Sequence, residues 1–146
     1  MARNIFLTLS FLAVSMLSFA ADKPSNTKVR AYRLPTKVFA YYFYTNVRCP
    51  TCHKLEQYSK AVIDSSFKDE LASGKLEFKA INVEEKGNEH FTKDYKLYTK
   101  SLVISLVKSG KEVKSKNLTK IWEYVGNKEK FYKYVKDEIA GFLKVS

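Results

Sequence analysis

The chain has 146 residues, of which 45% are hydrophobic and 28% charged, and its formal net charge is +11. This length suits one domain with a packed core and is short for two. The lysines stand singly between apolar and acidic residues, without a run of five or six. That spacing indicates a solvated basic surface and argues against a nucleic-acid-binding or membrane-binding patch.

The first twenty residues predict a signal peptide. Arg3 precedes an uncharged stretch at 5–19, and the small residues Ser18 and Ala20 suit cleavage after Ala20. An uncleaved anchor is disfavoured because the stretch is too short for a bilayer core of ~30 Å. We expect export, to the periplasm if the source is Gram-negative, and no transmembrane span after cleavage. The expected division is signal peptide 1–20, linker 21–36 and one domain 37–146.

The elements expected after the linker alternate between strands and helices. The run KVFAYYFY, Lys37–Tyr44, is aromatic and β-branched on both faces, which predicts a central strand covered on both sides. From Cys52 the apolar residues follow a helical period, and Gly74 ends this helical region. A strand at 75–83 and a short helix capped by Asn88 are expected next.

The second half of the chain predicts a hairpin and a C-terminal helical region. The hairpin pairs 102–107 with 112–114 around a Ser109-Gly110 turn. The helical region, 119–143, is broken at Gly126-Asn127. Its apolar stripe consists of Phe131, Tyr134, Val135, Ile139, Phe142 and Leu143. The resulting β-α-β-α-β-β-α order predicts an α/β fold with a mixed central sheet and helices on both faces.

Both cysteines of the chain lie in the stretch RCPTCH, residues 48–53. A disulfide that closes so short a loop adds little stability, so chemistry is expected here rather than a structural staple. Cys49 should open the first helix, where unpaired N–H groups and the adjacent Arg48 favour its thiolate. Pro50 suits the first turn because its missing N–H needs no partner. Cys52, one turn in, suits the resolution of a mixed disulfide formed at Cys49.

This combination of strand, CPTC motif and element order resembles the thioredoxin superfamily over nearly all of the mature sequence. More narrowly, YYFYTNVRCPTCHKLE, GKLEFKAINVEE, NEHF and YTKSLVISLV resemble an exported family named as the F subunit of nitrophenyl-compound nitroreductases and linked to arsenic-resistance operons. The resemblance implies a redox-active Cys49–Cys52 pair without a cofactor. It also implies exchange with a partner protein's thiols or disulfide, on a partner that could be membrane-bound, in a nitroaromatic or arsenical reduction system.

Two positions depart from the thioredoxin pattern. Thioredoxins place a cis-proline before the strand that corresponds to LVISLV, but here Ser101 or Leu102 stands at about that point. Phe43 stands where thioredoxins bury an acidic residue six positions before the first cysteine. Both departures put general disulfide-reductase activity in doubt. They leave open a binding module without turnover, or a soft-metal site.

The metal alternatives use the same motif. Cys49, Cys52 and His53 could hold Cu(I) for binding or transfer, whereas a closed zinc site would lack a fourth ligand. Cys-x-x-Cys-His also matches a c-type haem attachment site. Both methionines leave with the signal peptide, however, so His90, expected to be a surface or capping residue, is the only other axial candidate. We therefore expect neither metal nor haem, and we expect His53 to be a partly exposed residue in the first helical turn that could tune the thiolates when protonated.

Overall fold

The computed structural model describes residues 36–146, so the predicted signal peptide and nearly all of the predicted linker lie outside the described residues. The strands of this part are β1 (Lys37–Tyr44), β2 (Leu76–Asn82), β3 (Ser101–Lys108) and β4 (Lys111–Asn117). The helices are α1 (Pro50–Ser66), α2 (Lys68–Ala72), α3 (His90–Asp94), α4 (Ile121–Tyr124) and α5 (Lys128–Leu143). Among residues 36–146, no helix combines the length and apolarity needed to cross a bilayer.

The strands form one mixed sheet in the order β2-β1-β3-β4. β2 runs parallel to β1 because α1 and α2 carry the chain back between them, whereas β3 is antiparallel to both β1 and β4. This arrangement confirms the predicted α/β fold and its β-α-β-α-β-β-α order, with α2 and α4 as short additions. The fold is thioredoxin-like, with the dithiol between the first strand and the first helix.

One face of the sheet holds the larger part of the core. Because side chains alternate along a strand, Val38, Ala40 and Tyr42 of β1 point to this face and are fully buried against α1 and α5. The predicted stripe of α5 also lies here. Its buried members are Phe131, Val135, Ile139 and Phe142, and its half-buried members are Tyr134 and Leu143.

The other face carries a smaller aromatic cluster, covered by α3. Phe43 of β1 is buried there with Leu97 and Val103. The Phe43 ring centroid lies 5.1 Å from that of Phe91 and 5.4 Å from that of Tyr95. Helices therefore cover both faces of β1, as predicted.

The predicted hairpin turn and helix break are both confirmed. Ser109 and Gly110 have φ values of 53° and 78°, and two positive values in succession are typical of a type I′ hairpin turn. At the second site Asn127 is the N-cap of α5, where its side-chain oxygen accepts the N–H of Lys130 at 3.0 Å.

The predicted capping role of Asn88 is wrong. α3 begins at His90, and its N-cap residue is Glu89, whose side chain makes no capping hydrogen bond. Asn88 instead donates its side-chain N–H to the carbonyl of Asn82 at 2.9 Å. The Asn88 amide thus provides a hydrogen-bond donor for a carbonyl at the end of an edge strand. This is a tertiary contact that the local sequence does not reveal.

Truncating Leu55 should test how strongly α1 holds the fold. Its side chain is fully buried between the sheet and α5, so Leu55→Ala should lower the free energy of unfolding by about 2–5 kcal/mol. Urea unfolding of the oxidised chain measures this change. Gln57→Ala, an exposed position on the same helix, should stay within about 0.5 kcal/mol of the unchanged chain. Equal effects for the two variants would contradict the packing described here.

Candidate functional site

The dithiol lies where β1 ends and α1 begins. Cys49 is the N-cap residue of α1, and its Cα lies 5.0 Å from the Cα of Cys52, to which it is joined by a disulfide. Cys49 is exposed, whereas only 3% of Cys52 is accessible. One cysteine of the pair is therefore accessible to a partner and the other is not.

The start of α1 turns its backbone donors toward Cys49. The Cys52 N–H points at the Cys49 sulfur at 3.1 Å, and the His53 N–H donates to the Cys49 carbonyl at 3.1 Å. Pro50 occupies the first turn, where an N–H would have no intrahelical acceptor. After reduction, the Cys52 N–H and the positive end of the helix dipole favour a thiolate at Cys49.

The loop that precedes Cys49 is anchored to the end of β2. The Asn46 N–H donates to a Glu84 carboxylate oxygen at 2.7 Å, and the Asn46 side-chain oxygen accepts from Asn82 at 2.7 Å. These two bonds join the loop to the strand next to β1. They hold the chain that delivers Cys49 to its capping position.

Arg48 makes contacts that its sequence position does not reveal. Its guanidinium forms an ion pair with Glu56 of α1 and lies over the ring of Tyr44, with 4.3 Å between the guanidinium carbon and the ring centroid. Burial alone would lower the pKa of Arg48, but the hydrogen bond and charge of Glu56, together with Tyr42 and Tyr44, outweigh burial, so the pKa is raised. The cation is therefore already compensated by a carboxylate.

Tyr42 of β1 forms a hydrogen bond with the backbone of the dithiol motif. Its fully buried hydroxyl donates to the Cys52 carbonyl at 2.7 Å. Burial is the main reason that its pKa is raised to about 12; Arg48 opposes the increase and Glu56 adds to it. Neither Tyr42 nor Glu56 was predicted as a site residue. The i, i+4 spacing from Cys52 places Glu56 on the same face of α1, but no sequence pattern singles out Tyr42 in a strand that is apolar on both faces.

The two histidines lie apart in the fold. His53 is exposed in the first turn of α1, and His90 is exposed at the start of α3 with its Nδ1 2.8 Å from the Gly87 carbonyl oxygen. Within residues 36–146, no three His, Cys, Asp or Glu side chains are gathered so that they could share a metal ion. Because the two sulfurs are bonded to each other, a soft ion at Cys49, Cys52 and His53 would require prior reduction.

The two positions that depart from the thioredoxin pattern lie opposite each other. Ser101 begins β3 and pairs with Phe43 of β1. Ser101 is buried, and its hydroxyl donates to the Thr99 carbonyl at 2.9 Å. No peptide bond within the described residues is cis. The Phe43 ring belongs to the α3 face of the sheet, whereas Tyr42 faces α1.

Exposed apolar side chains lie at the same end of the sheet as the dithiol. Val47, two residues before Cys49, is 81% exposed, and Tyr98, in the loop before β3, is 94% exposed. The loop after β1 and the loop before β3 lie at the same end of the sheet because the start of β3 pairs with the end of β1. A cavity of about 350 Å³ opens here, and its walls include Tyr44, Thr45, Glu84, Tyr98 and Lys100.

Comparison with solved structures finds thioredoxins. The Fasciola hepatica thioredoxin is 20% identical with a TM-score of 0.38, over 62% of this chain and 79% of that one. Thioredoxin f2 of Chlamydomonas reinhardtii is 15% identical with a TM-score of 0.35, over 64% and 77%. Thioredoxin-2 of the malaria parasite is 13% identical with a TM-score of 0.37, over 64% and 85%. No family model and no curated protein matches the chain.

The sequence identities and TM-scores of these structures are too low to assign the chain to a family or a function. The thioredoxin-like fold rests on the strand order, on the helices that cover both faces of β1, and on the position of the cysteine pair. Together the fold and the pair define a thioredoxin-like protein with a Cys-Pro-Thr-Cys motif suited to thiol–disulfide chemistry.

The raised pKa of Tyr42 predicts a stability change in alkaline solution. Above pH 10 the unfolded tyrosine loses its proton while the folded one keeps it up to about 12, so stability falls through this range. The Tyr42→Phe chain lacks the hydrogen bond to Cys52 and should be less stable by about 1 kcal/mol at pH 8. Phenylalanine has no ionisable hydroxyl, so the variant does not lose this part of its stability at high pH. The stability difference between the unchanged chain and Tyr42→Phe should therefore shrink toward pH 11.

Urea unfolding of the oxidised chains at pH 8, 10 and 11 measures the difference. Tyr98→Phe serves as the matched control because Tyr98 is 94% exposed, and this variant should follow the unchanged chain at each pH. A Tyr42→Phe difference that stays constant or grows with pH would contradict the buried, neutral phenol.

Proposed function

We propose that the chain is an exported thiol–disulfide redox protein that passes electron pairs to or from a partner protein through Cys49 and Cys52. The observation that carries the proposal is the asymmetry of the pair. Cys49 is an exposed residue whose sulfur caps a helix, and Cys52 is a buried residue one turn behind it. An accessible, stabilised thiolate with a shielded resolving thiol is the arrangement that disulfide exchange requires.

The exchange is a pair of displacements at sulfur. In the reduced chain the Cys49 thiolate attacks a partner disulfide, so one Cys49–partner S–S bond forms and the partner's own S–S bond breaks. The Cys52 thiol then loses its proton and its sulfur attacks the Cys49 sulfur, which releases the second partner thiolate. Two electrons pass to the partner, and the chain ends as the Cys49–Cys52 disulfide. With a reducing partner the same steps run in reverse.

The surface around Cys49 supports a protein as the partner. Val47 and Tyr98 present exposed apolar area beside the dithiol, and such area is typical of contact surfaces. The formal net charge of +11 would favour a partner with an acidic surface. A membrane-bound partner in a nitroaromatic or arsenical reduction system, and a periplasmic location, are parts of the proposal that rest on the sequence resemblance and the predicted signal peptide.

A redox titration tests the proposal against its alternatives. The chain is purified without oxygen as the producing cell makes it, assayed for copper and haem, and equilibrated in a series of glutathione or dithiothreitol ratios. We expect a reversible two-electron transition and no stoichiometric copper or haem. Copper retained at one equivalent would favour the metal-binding alternative. A missing transition would favour a binding module without turnover.

Trapping variants test the roles of the two cysteines. Cys52→Ser removes the resolving thiol, so a mixed disulfide between Cys49 and the partner should accumulate in the source cell. Cys49→Ser removes the attacking thiol and should trap nothing. Non-reducing gels and mass spectrometry measure both outcomes. Adducts that form only in Cys49→Ser would reverse the assignment, and adducts in neither variant would contradict exchange with a protein partner.

A further inference from the structure

An ion pair joins the residue that precedes Cys49 to the helical turn that follows Cys52. Arg48 precedes the helix-capping Cys49, and Glu56 lies one helical turn after Cys52 on the same face of α1. The two partners of this ion pair, Arg48 and Glu56, therefore stand on either side of the two cysteines in the sequence. The side chains of Arg48 and Glu56 are only 18% and 25% exposed, so solvent screens the pair less than it screens a surface pair.

The guanidinium has two kinds of neighbour. On the β1 side it lies over Tyr44 and close to the hydroxyl of Tyr42, and on the α1 side it meets the Glu56 carboxylate. The other titratable side chain in the first turn of α1 is His53, which is exposed. Arg48 Nε is buried and finds no hydrogen-bond acceptor among residues 36–146. The cation thus keeps an unused donor, and it lies beside Tyr42, whose hydroxyl bonds to the Cys52 carbonyl.

We propose that Glu56 is a positioning residue that sets the acidity of the Cys49 thiol, and with it the reduction potential of the dithiol, by holding Arg48 in a neutral pair. This inference rests on the proposed redox function. A free guanidinium would favour the Cys49 thiolate, and so the reduced state of the pair. The paired guanidinium favours it much less, because the carboxylate cancels most of its field. Glu56 therefore keeps the dithiol more reducing than the helix N-terminus and Arg48 together would make it.

The Glu56→Gln variant keeps the size of the side chain and removes its charge. Arg48 should then act on the Cys49 sulfur, and the thiol pKa should fall by about one unit. The reduced fraction should rise as well, with a three- to tenfold shift in the equilibrium constant against glutathione, where tenfold corresponds to about 30 mV. Thiolate absorbance at 240 nm across pH and a glutathione redox titration measure the two effects on the full chain.

A double-variant comparison separates action through Arg48 from direct action on sulfur. In the Arg48→Gln background, adding Glu56→Gln should shift the redox equilibrium by less than twofold, because no cation is left to release. The chain with both changes should also stay within threefold of the unchanged chain, which tests the proposal even if Glu56→Gln alone folds poorly. Glu56→Asp keeps the negative charge, so the Cys49 thiol pKa of this variant should equal that of the unchanged chain.

Asp64→Asn is the matched control on the same helix. Asp64 forms an exposed i, i+4 pair with Lys60 at 2.5 Å, so its loss should leave the thiol pKa and the redox equilibrium unchanged. Equal shifts from Glu56→Gln with and without Arg48 would overturn the proposal, as would no shift in either. If the unchanged chain shows no reversible dithiol–disulfide transition, the proposed function fails instead, so the two failures are distinguishable.

Discussion

The burial of β1 on both faces is the constraint on which the rest of the structure depends. Because neighbouring side chains of a strand point in opposite directions, Tyr42 is committed to the α1 face and Phe43 to the α3 face. A shift of one residue would exchange these two environments. The register of β1 therefore determines which aromatic ring lies beneath the dithiol, and it determines where the loop that carries Cys49 leaves the sheet.

The acidity of the Cys49 thiol depends on the same contacts that begin α1. A helix start leaves N–H groups without acceptors, and here the Cys49 sulfur serves as the acceptor for one of them. Pro50 fits this turn without loss, and Asn46 fastens the preceding loop to β2. The contacts that begin the helix are thus the contacts that would stabilise a thiolate. Folding and acidity of the pair are coupled through the same few atoms.

Features with a local cause could be predicted from the sequence, and features with a tertiary cause could not. The bounds of β1 follow from a run of aromatic and β-branched residues, and the turn at Ser109-Gly110 and the helix break at Gly126-Asn127 follow from residues typical of turns. Each of these signals acts over a few residues. The bond from Asn88 to the end of β2 depended on a distant strand. The pairing of Arg48 with Glu56 likewise depended on the packing of α1 against β1, which no short pattern encodes.

The carboxylate of this site comes from Glu56 on α1, and not from position 43 on β1, where thioredoxins have their acidic residue. Phe43 lies on the α3 face, so an acidic side chain at that position would extend into the aromatic cluster with Phe91 and Tyr95, not toward the Cys52 carbonyl. The carboxylate near this dithiol comes from the helix, and it arrives already paired with a cation. Its effect on the cysteines is therefore electrostatic, and it acts through the guanidinium that it holds.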